Sequence, residues 1–553
     1  MPNTSVPSSM SVYCPTLHDY WQHASPTLNL RINFAQLLLC HPQMDKTAVA
    51  SPDGDLTYRQ LFHETCRTAS ALEQRGLQPE ERVLIALDDD HMQLCLALGC
   101  WAIGAIPVLI NPKLGAASFN HIVNDITPAL CVVRSDRAAQ AQQALDNTDV
   151  TTPLLPVPAH AFLTETDWRL SDGNPSWRDF HFCLSERVQT IQYSSGTTGT
   201  AKGVMHSAQA LLDFVRCQML EFLGFLAEDV IYAVPRTFFS YGLLHNLINP
   251  LSTNATTVRD SHWPAPERII ENIRRYRPSM LLGVPLHFQS LLDNAESLPP
   301  HYRPRFILAG GSPLSRKLIQ RWHDTCGTWI HDAVGSSETS GFIATTFPHS
   351  PLECNGVGYA TPACTIRLLD ENRQPVALGS MGELWVHSHF LSMGYWNNPS
   401  LTAQRFLCDE KGRHWHATGD LFREDEHGCL LFEGRRDDCF KIKGRWVTPI
   451  QVEEMVLQYI PSIINCLLIE GPMKNGITGS VLFVETNQFQ SIDTLSLEVI
   501  SALSSLESYK YPTCCQIMSR LPTNTNGKPD RKALRREVPG ILARHSAQQQ
   551  RSQ

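Results

Sequence analysis

A segment rich in hydroxyl groups and glycine carries the clearest chemical signal of this sequence. From Tyr193 to Val204 the chain reads YSSGTTGTAKGV, shortly after the apolar Ile191. Glycines let backbone N–H groups approach an anion, and hydroxyls and a lysine add further donors. The segment therefore predicts a phosphate-binding loop formed by Ser194, Ser195, Gly196, Thr197, Thr198, Gly199 and Lys202.

Two other interpretations of this segment are weaker. A Walker A loop requires the pattern GxxxxGK[ST], which the segment lacks. A flexible surface turn is the second alternative, but linkers rarely combine this density of hydroxyls and glycines with a lysine. We therefore expect a phosphate site of a different type.

The elements that must position this loop alternate between strands and helices. Short apolar strands are separated by amphipathic stretches, a pattern typical of an α/β fold with a largely parallel sheet. The predicted strands are 82–87, 106–110, 129–133, 280–283 and 306–309, and the clearest helix is 266–276. After Val357 the strands become closely spaced, which predicts a small β-rich portion.

The length of 553 residues exceeds what one hydrophobic core usually supports. The charged string Gly434–Asp438 interrupts the strand pattern and is a candidate hinge before a small, mobile α+β domain. We predict an N-terminal extension over residues 1–34, a large domain over 35–436, a small domain over 437–540 and a polar tail over 541–553.

Composition narrows the possible functions. A net charge of −8 argues against a nucleic-acid-binding protein, which needs a basic face. The N-terminal residues lack the basic-then-apolar order of a secretory signal, so we expect a cytoplasmic enzyme. The uncharged run 92–110 approaches the length of a membrane span, but its glycines and proline favour a buried helix that leads into a buried strand. No membrane span is therefore expected.

Six further motifs follow the loop at characteristic spacing, and together they carry a resemblance to a known family. They are Ala309–Leu314 (AGGSPL), Asp332–Glu338 (DAVGSSE), Thr418–Leu421 (TGDL), Gly434-Arg435 with Asp437, Lys441–Gly444 (KIKG) and Asn526–Lys528 (NGK). The set resembles the adenylate-forming superfamily of acyl-CoA ligases, peptide-synthetase adenylation domains and luciferases, over roughly residues 35–540.

The resemblance implies roles for these residues in binding ATP and Mg²⁺. Glu338 is expected to ligate Mg²⁺, Thr198 to contact the phosphates, and Lys528 to place a positive charge where the transition state becomes negative. Asp420 and Arg435 would hold the ribose. The AGGSPL strand end, with Gly310, Gly311 and Ser312, would line the adenine pocket, and Asp332, Ser336 and Ser337 would also bind the nucleotide.

The resemblance also implies two half-reactions. The acid first becomes a mixed anhydride with AMP, and a thiol then attacks its carbonyl. The small domain would pivot at Asp437 between these steps. The thiol, of coenzyme A or of a carrier-protein phosphopantetheine, would be bound near Lys441, Lys443, Gly444 and Trp446.

The string FFSYG at Phe238–Gly242 narrows the acid. Domains that activate amino acids place an aspartate in this region, and none is present here. The string is similar to that of benzoate- and anthranilate-CoA ligases, which predicts an aryl or cyclic acid. The implied acid-binding residues are Phe239, Tyr241, His245, Gly283, Ala309 and Gly341.

Two residues depart from the aryl-ligase pattern. Gly341 stands where aryl ligases usually carry a histidine, and this loss is expected to widen one wall of the pocket. His245 is expected to narrow or polarise another wall. We therefore expect an acid other than simple benzoate, such as a larger, bicyclic or non-aromatic one.

Among the competing functions, a coenzyme A ligase is favoured over an enzyme that loads a carrier protein. A non-enzymatic binding protein is disfavoured, because Glu338, Asp420, Arg435 and Lys528 are all present. Luciferase-type oxidation is a remote alternative. The sequence does not decide between a monomer and a homodimer.

Overall fold

The computed structural model of the chain describes residues 11–23, 29–158, 180–195, 201–473, 476–486, 491–522 and 530–552. The chain divides into two units. Unit 1 comprises residues 1–196, 200–366 and 386–416, and unit 2 comprises residues 197–199, 367–385 and 417–553. The predicted domain boundary at residue 436 falls within unit 2 and remains a prediction.

The main sheet of unit 1 has nine strands, and its centre is parallel. Its edge strands pair antiparallel. The spatial order of the strands is Tyr359–Ala360, Gly341–Thr345, His331–Ser336, Phe306–Gly310, Met280–Gly283, Val230–Ala233, Thr256–Val258, Thr47–Ala50 and Leu56–Thr57.

A second sheet of unit 1 has four parallel strands. They are, in spatial order, Ile106–Leu109, Arg82–Ala86, Leu130–Arg134 and Leu154–Val157. A three-stranded sheet, made of Ser11–Tyr13, Asn29–Ile32 and Cys183–Leu184, lies near the start of the chain. The predicted α/β fold with largely parallel sheets is therefore confirmed.

Helices cover these sheets, and local sequence explains their bounds. Pro266–Tyr276 begins with a proline at its first turn, ends with two arginines and buries Ile269, Ile270 and Ile273 on one side. The other longer helices of unit 1 are Tyr58–Gln74, His91–Ala102, Ala116–Ile126, Ala138–Leu145, Pro285–Asp293 and Arg316–Cys326. Shorter ones are Leu17–His23, Phe34–Leu39, Ala208–Phe214, Ser240–Leu243, Asn249–Ser252 and Pro399–Arg405.

The helix His91–Ala102 has 12 residues, all of them buried, and Asp90 caps its N-terminus through the Gln93 N–H. It runs into the buried strand Ile106–Leu109, as predicted. Among the residues that the structure describes, no helix combines the length and the apolar character needed to cross a bilayer.

Unit 2 contains a three-stranded sheet and four helices over its described residues. Ile463–Pro472 pairs antiparallel with Thr478–Thr486, which pairs parallel with Cys514–Met518. The helices are Pro449–Tyr459, Ile492–Ala502, Arg531–Arg535 and Val538–Ser552. The unit also contains most of the strands Thr365–Leu369 and Gly382–His387, and two hairpins. One joins the strand His414–Glu424 to Leu430–Arg435, and the other joins Phe440–Ile442 to Arg445–Val447.

Candidate active site

The predicted phosphate-binding loop lies at the end of an antiparallel hairpin. The strands Val188–Ser195 and Ala201–Ser207 pair so that Ser194 is opposite Lys202. Residues opposite each other on such a ladder project from the same face, so both side chains stand at the loop end of one face. Gly196, Thr197, Thr198 and Gly199 lie outside the described residues, as does the side chain of Ser195, so their roles stay predictions.

The two faces of this hairpin differ in chemistry. Ile191 and Met205 belong to the hydrophobic cluster of the four-stranded sheet. The opposite face carries Ser194, Lys202, Gln192 and His206, because side chains alternate along a strand. The packed face therefore holds the hairpin on the core. On the other face Gln192 and His206 are buried, and the half-buried Ser194 and Lys202 remain accessible to a ligand.

Glu338 is held by a residue that the sequence analysis missed. The Tyr395 hydroxyl donates a hydrogen bond to Glu338 Oε1 at 2.8 Å. Lys202 Nζ lies 5.8 Å from the centre of the Tyr395 ring. The backbone of Tyr395 pairs with Val204 of the hairpin, and the Ser392 N–H donates to the Glu338 carbonyl at 2.9 Å. Three segments distant in sequence thus meet around Glu338.

This arrangement suits a Mg²⁺ ion that accompanies ATP. Among the described residues no group of three or more His, Cys, Asp or Glu side chains could hold a metal ion by itself. Mg²⁺ in nucleotide sites is typically bound by one or two carboxylates together with phosphate oxygens and water. A single half-buried carboxylate that is oriented by a tyrosine hydroxyl therefore fits Mg²⁺ bound together with ATP, and Glu338 is the residue that would hold it.

The predicted nucleotide-binding residues lie on or just after two parallel strands. Gly310 and Ser336 end these strands, and Asp332 lies near the start of the second one. Phe306–Gly310 pairs with His331–Ser336 so that Ala309 is opposite Asp332. A Cβ at Gly310 would lie 3.1 Å from the Ala333 carbonyl oxygen, and Gly311 has φ +83°, so both positions favour glycine. Ser312 is exposed just beyond the strand. Nucleotides typically bind at such strand ends in α/β sheets.

The loop that follows the second strand presents Ser336 and Ser337. The Ser336 N–H donates to Thr339 Oγ1 at 2.9 Å, and the Ser240 hydroxyl donates to Ser337 Oγ at 2.8 Å. These bonds order the turn that leads to Glu338. They also connect it to the segment that carries the predicted acid-binding residues.

Asp332 is a buried carboxyl. It accepts a hydrogen bond from the Ala333 N–H at 2.9 Å, and burial raises its pKa to about 8. Loss of solvation disfavours the charged form, which is why the pKa of a buried carboxyl increases. At neutral pH this side chain is therefore largely protonated and can donate as well as accept a hydrogen bond.

The predicted ribose-binding pair lies in unit 2. Asp420 and Arg435 are cross-strand partners, and Arg435 Nε is 2.7 Å from Asp420 Oδ1. The Asp420 N–H donates to Thr418 Oγ1 at 3.0 Å, and the Thr418 hydroxyl donates to the Leu384 carbonyl at 2.8 Å. The TGDL motif is thus a strand segment, held by hydrogen bonds, that places the Asp420 carboxylate beside the Arg435 guanidinium of the neighbouring strand.

The predicted hinge and thiol-binding residues follow in the same unit. Asp437 lies in the turn between the strands Leu430–Arg435 and Phe440–Ile442. Lys443 and Gly444 have φ +51° and +78°, as a two-residue hairpin turn of type I′ requires. Lys441 Nζ lies 4.5 Å from the centre of the Trp446 ring. The four predicted thiol-binding residues therefore share one hairpin.

Lys528 lies outside the described residues. The residues on either side of its segment are well connected, since the Asp530 N–H donates to the Pro522 carbonyl at 2.8 Å. Arg531 then pairs with Glu453 at 2.6 Å. The role of Lys528 stays a prediction.

The predicted acid-binding residues are brought together only in part. The rings of Tyr241 and His245 are 5.0 Å apart and nearly perpendicular. The Tyr241 hydroxyl donates to the Leu308 carbonyl at 3.0 Å, which connects Tyr241 to the strand that carries Ala309. The Phe239 ring lies 4.5 Å from the Phe238 ring, tilted by 51°.

Gly283 ends the strand Met280–Gly283, and an added Cβ there would lie 3.1 Å from the Phe288 ring. His245 sits in a π-helical turn, Leu244–Ile248, where it is buried. Asn249 Nδ2 lies 2.9 Å from its Nδ1, and burial lowers its pKa to about 3. His245 is therefore expected to be a neutral imidazole in the predicted acid-binding region.

Comparison with known proteins settles the family. The model of the AMP-binding enzyme family matches residues 40–396, more than half of the chain. The chain belongs to the AMP-binding enzyme family. An anthranilate–CoA ligase of Pseudomonas aeruginosa is 33% identical over 492 residues, which cover 85% of this chain and 90% of that protein.

A 4-hydroxybenzoate–CoA/benzoate–CoA ligase of Rhodopseudomonas palustris is 27% identical and covers 94% of this chain and 96% of its own length. The crystal structure of the anthranilate CoA ligase AuaEII in complex with anthranoyl-AMP has a TM-score of 0.80 at 24% identity, over 92% of this chain and 98% of that one. The predicted resemblance to this family and its fold is confirmed.

The expected widening of the pocket at Gly341 is wrong. Gly341 has φ +142°, and a Cβ added there would lie 2.2 Å from Phe214 Cε2. Phe214 is fully buried, and its ring packs edge-on against Phe342 and Phe390. The space that a side chain at 341 would occupy is therefore filled by an aromatic ring from a distant helix of this AMP-binding enzyme, which sequence reasoning missed.

His206 is a second residue that the sequence analysis missed. It is 1% exposed, and its Nδ1 lies 2.9 Å from Ser340 Oγ. Burial lowers the pKa of His206 to about 4, against the opposing attraction of Glu338. A histidine two residues after KGV is the only signal in the sequence for this contact.

Asp332→Asn is expected to flatten the pH dependence of stability. Because the folded-state pKa is raised, the wild type is most stable, relative to the variant, below the unfolded-state pKa near 4. As the pH rises from there to about 8, the free energy of unfolding of the wild type, relative to that of the variant, falls by about 1.4 kcal/mol per pH unit. Urea unfolding of both proteins from pH 4 to 8 measures this difference. Asp149→Asn, at an exposed carboxyl, is the control. A pH-independent difference would contradict a buried neutral Asp332.

Gly341→Ala is expected to lower the free energy of unfolding by about 1–3 kcal/mol, because the methyl group overlaps the Phe214 ring. The same change in a Phe214→Ala background should cost less, which a double-mutant cycle in urea measures. Gly115→Ala, where nothing lies within 4 Å of the added methyl group, is the control. Equal costs in both backgrounds would mean that backbone strain alone, and not Phe214, opposes a side chain here.

Proposed function

We propose that this protein is an ATP-dependent carboxylic acid:CoA ligase that acts through an acyl-adenylate, and that its acid is a single-ring aryl acid. The observation that carries the proposal is the meeting of Lys202, Glu338 and Tyr395 at the loop end of the hairpin. This group combines a lysine, which can donate hydrogen bonds to phosphate oxygens, with a carboxylate suited to a metal ion. The names of the aryl-CoA ligases to which the chain is similar support the class of acid.

In the first half-reaction, an oxygen of the acid's carboxylate attacks the α-phosphorus of ATP. A P–O bond forms to the acid, and the bond to pyrophosphate breaks. Lys202 and the loop hydroxyls would hold the phosphates, and Tyr395 would orient Glu338 through its hydrogen bond. Mg²⁺, when bound, would neutralise phosphate charge. Lys528 would stabilise the negative charge that develops between the acid and the α-phosphate.

In the second half-reaction, a thiolate attacks the carbonyl carbon of the adenylate, and AMP leaves. The hairpin with Lys441, Lys443, Gly444 and Trp446 is the proposed thiol-binding surface. The proposal assigns the pivot between the two half-reactions to Asp437. Both the charge of Lys441 and the aromatic face of Trp446 suit the phosphates and adenine of coenzyme A.

The acid site favours one aromatic ring over a bicyclic acid. Phe214 occupies the space beside Gly341, so this wall is closed. Tyr241 and His245 present perpendicular rings, which suit edge-to-face contact with an aryl acid. Because burial keeps His245 neutral, it would add polarity to this wall without adding charge.

An ATP–pyrophosphate exchange screen tests the class of acid. Benzoate and its amino and hydroxy derivatives should support exchange, whereas naphthoates, cyclohexanecarboxylate and fatty acids should support much less. Thioester formation is then measured with coenzyme A and with a phosphopantetheinylated carrier protein. Exchange with fatty acids only would refute the aryl proposal, and transfer only to the carrier would refute coenzyme A.

Lys528→Ala is expected to lower pyrophosphate exchange by about 10²-fold or more, because one charge aimed at the transition state is removed. Thioester formation from supplied acyl-AMP should remain largely intact. Lys532→Ala, four positions along the chain, is the control matched in charge. Normal exchange in the Lys528 variant would remove this lysine from the mechanism.

Asp437→Pro is expected to impair thioester formation from acyl-AMP while sparing exchange, because proline restricts φ and stiffens the proposed pivot. Asp437→Ala removes the carboxylate without this restriction and is the control. A loss of the same size in both half-reactions of the proline variant would indicate misfolding and would leave no support for a pivot.

A further inference from the structure

Two buried polar side chains of the hairpin have atoms without hydrogen-bond partners. Gln192 and His206 are each 1% exposed. Over the part of the chain that the structure describes, Gln192 Oε1, Gln192 Nε2 and His206 Nε2 make no hydrogen bond. A buried polar group without a partner costs free energy, so such groups in native proteins call for an explanation.

The register of the hairpin places these two side chains on one face. Gln192 is opposite Val204, and His206 is opposite Thr190. The two residues are therefore diagonal neighbours, a spacing that long side chains can bridge. They share the face that carries Ser194 and Lys202, whereas Ile191 and Met205 pack into the hydrophobic cluster on the other side.

The neighbouring polar residues on the same strand are satisfied. The Thr190 hydroxyl donates to the Pro107 carbonyl at 2.9 Å, and Gln189 Nε2 donates to Cys183 Sγ at 3.2 Å. Among the described residues of the hairpin, the buried side-chain atoms without partners thus belong to Gln192 and His206. Poor packing of the whole hairpin would not produce so local a pattern.

The position of His206 indicates what these atoms would meet. Its Nδ1 is 2.9 Å from Ser340 Oγ, two residues after Glu338. In the proposed reaction the acid's carboxylate must approach the phosphates near Lys202 and Glu338. The part of the acid nearest to His206 is therefore a group close to that carboxylate.

We propose that Gln192 and His206 form a subsite for a hydrogen-bonding substituent adjacent to the carboxylate of the aryl acid, a hydroxyl or an amino group at the ortho position. The inference rests on the proposed aryl acid:CoA ligase function and specifies its substrate. Gln192 offers both a donor and an acceptor, and His206 offers one ring nitrogen, so either substituent can be bound.

The test measures kcat/KM for pyrophosphate exchange with benzoate, 2-hydroxybenzoate, 2-aminobenzoate and 4-hydroxybenzoate. A site built to hydrogen-bond a substituent rejects an analogue that lacks it by about 10²-fold or more. The wild type should therefore prefer at least one ortho-substituted acid over benzoate by that factor. The relative values for the hydroxy and amino acids identify which substituent the subsite takes.

Gln192→Leu should reduce this preference at least about 10-fold, because the ortho-substituted acid loses its partner whereas benzoate does not. The same variant should raise the melting temperature of the ligand-free protein, since it replaces unpaired buried polar atoms by apolar ones. His206→Leu should reduce the preference in the same direction. Gln189→Leu, at a buried glutamine of the same strand that has a partner, is the control and should keep it.

Each other outcome overturns the inference. Equal values for benzoate and both ortho acids in the wild type would exclude the subsite, and a preference for 4-hydroxybenzoate would place polar recognition elsewhere. An equal loss with all acids in Gln192→Leu, or a lower melting temperature, would indicate a structural role. Exchange with none of the aryl acids would instead refute the proposed function itself.

Discussion

The hydrogen bond from Tyr395 to Glu338 is the contact on which the proposed nucleotide site depends. It joins two segments that no sheet register connects directly, and the pairing of Tyr395 with Val204 extends the connection to the hairpin. A carboxylate that must bind a cation needs a defined orientation, and a phenol hydroxyl provides one without adding charge. Tyr395 therefore connects Glu338 to the hairpin strand that carries Lys202.

The site separates two carboxyl groups by environment. Asp332 is buried near the start of the strand His331–Ser336, where loss of solvation raises its pKa to about 8, whereas Glu338 is half-buried and accepts a hydrogen bond from Tyr395. One group is thus suited to neutral hydrogen bonding, and the other to binding a cation. Both groups belong to the segment Asp332–Glu338, so one strand and the turn after it position a neutral carboxyl group and a charged one.

Local patterns predicted the elements well. The strand Met280–Gly283 and the helix Pro266–Tyr276 have the predicted bounds, because an apolar run between turns and an amphipathic period are properties of adjacent residues. Tyr395, Phe214 and His206 could not be identified in this way. Their importance arises from contacts with Glu338, Gly341 and Ser340, which depend on tertiary packing and not on the pattern of adjacent residues.

The overlap between Phe214 and the missing side chain of Gly341 has a consequence for how such a site can evolve. A side chain at position 341 and the ring at position 214 would occupy the same space. Substitutions at these two positions are therefore coupled, although the residues lie on different elements. A lineage that gains a side chain at 341 must first shorten the residue at 214, because the reverse order passes through an overpacked intermediate. The positive φ of Gly341 adds a second barrier to that step. Substitutions at the two positions are therefore expected to be inherited together.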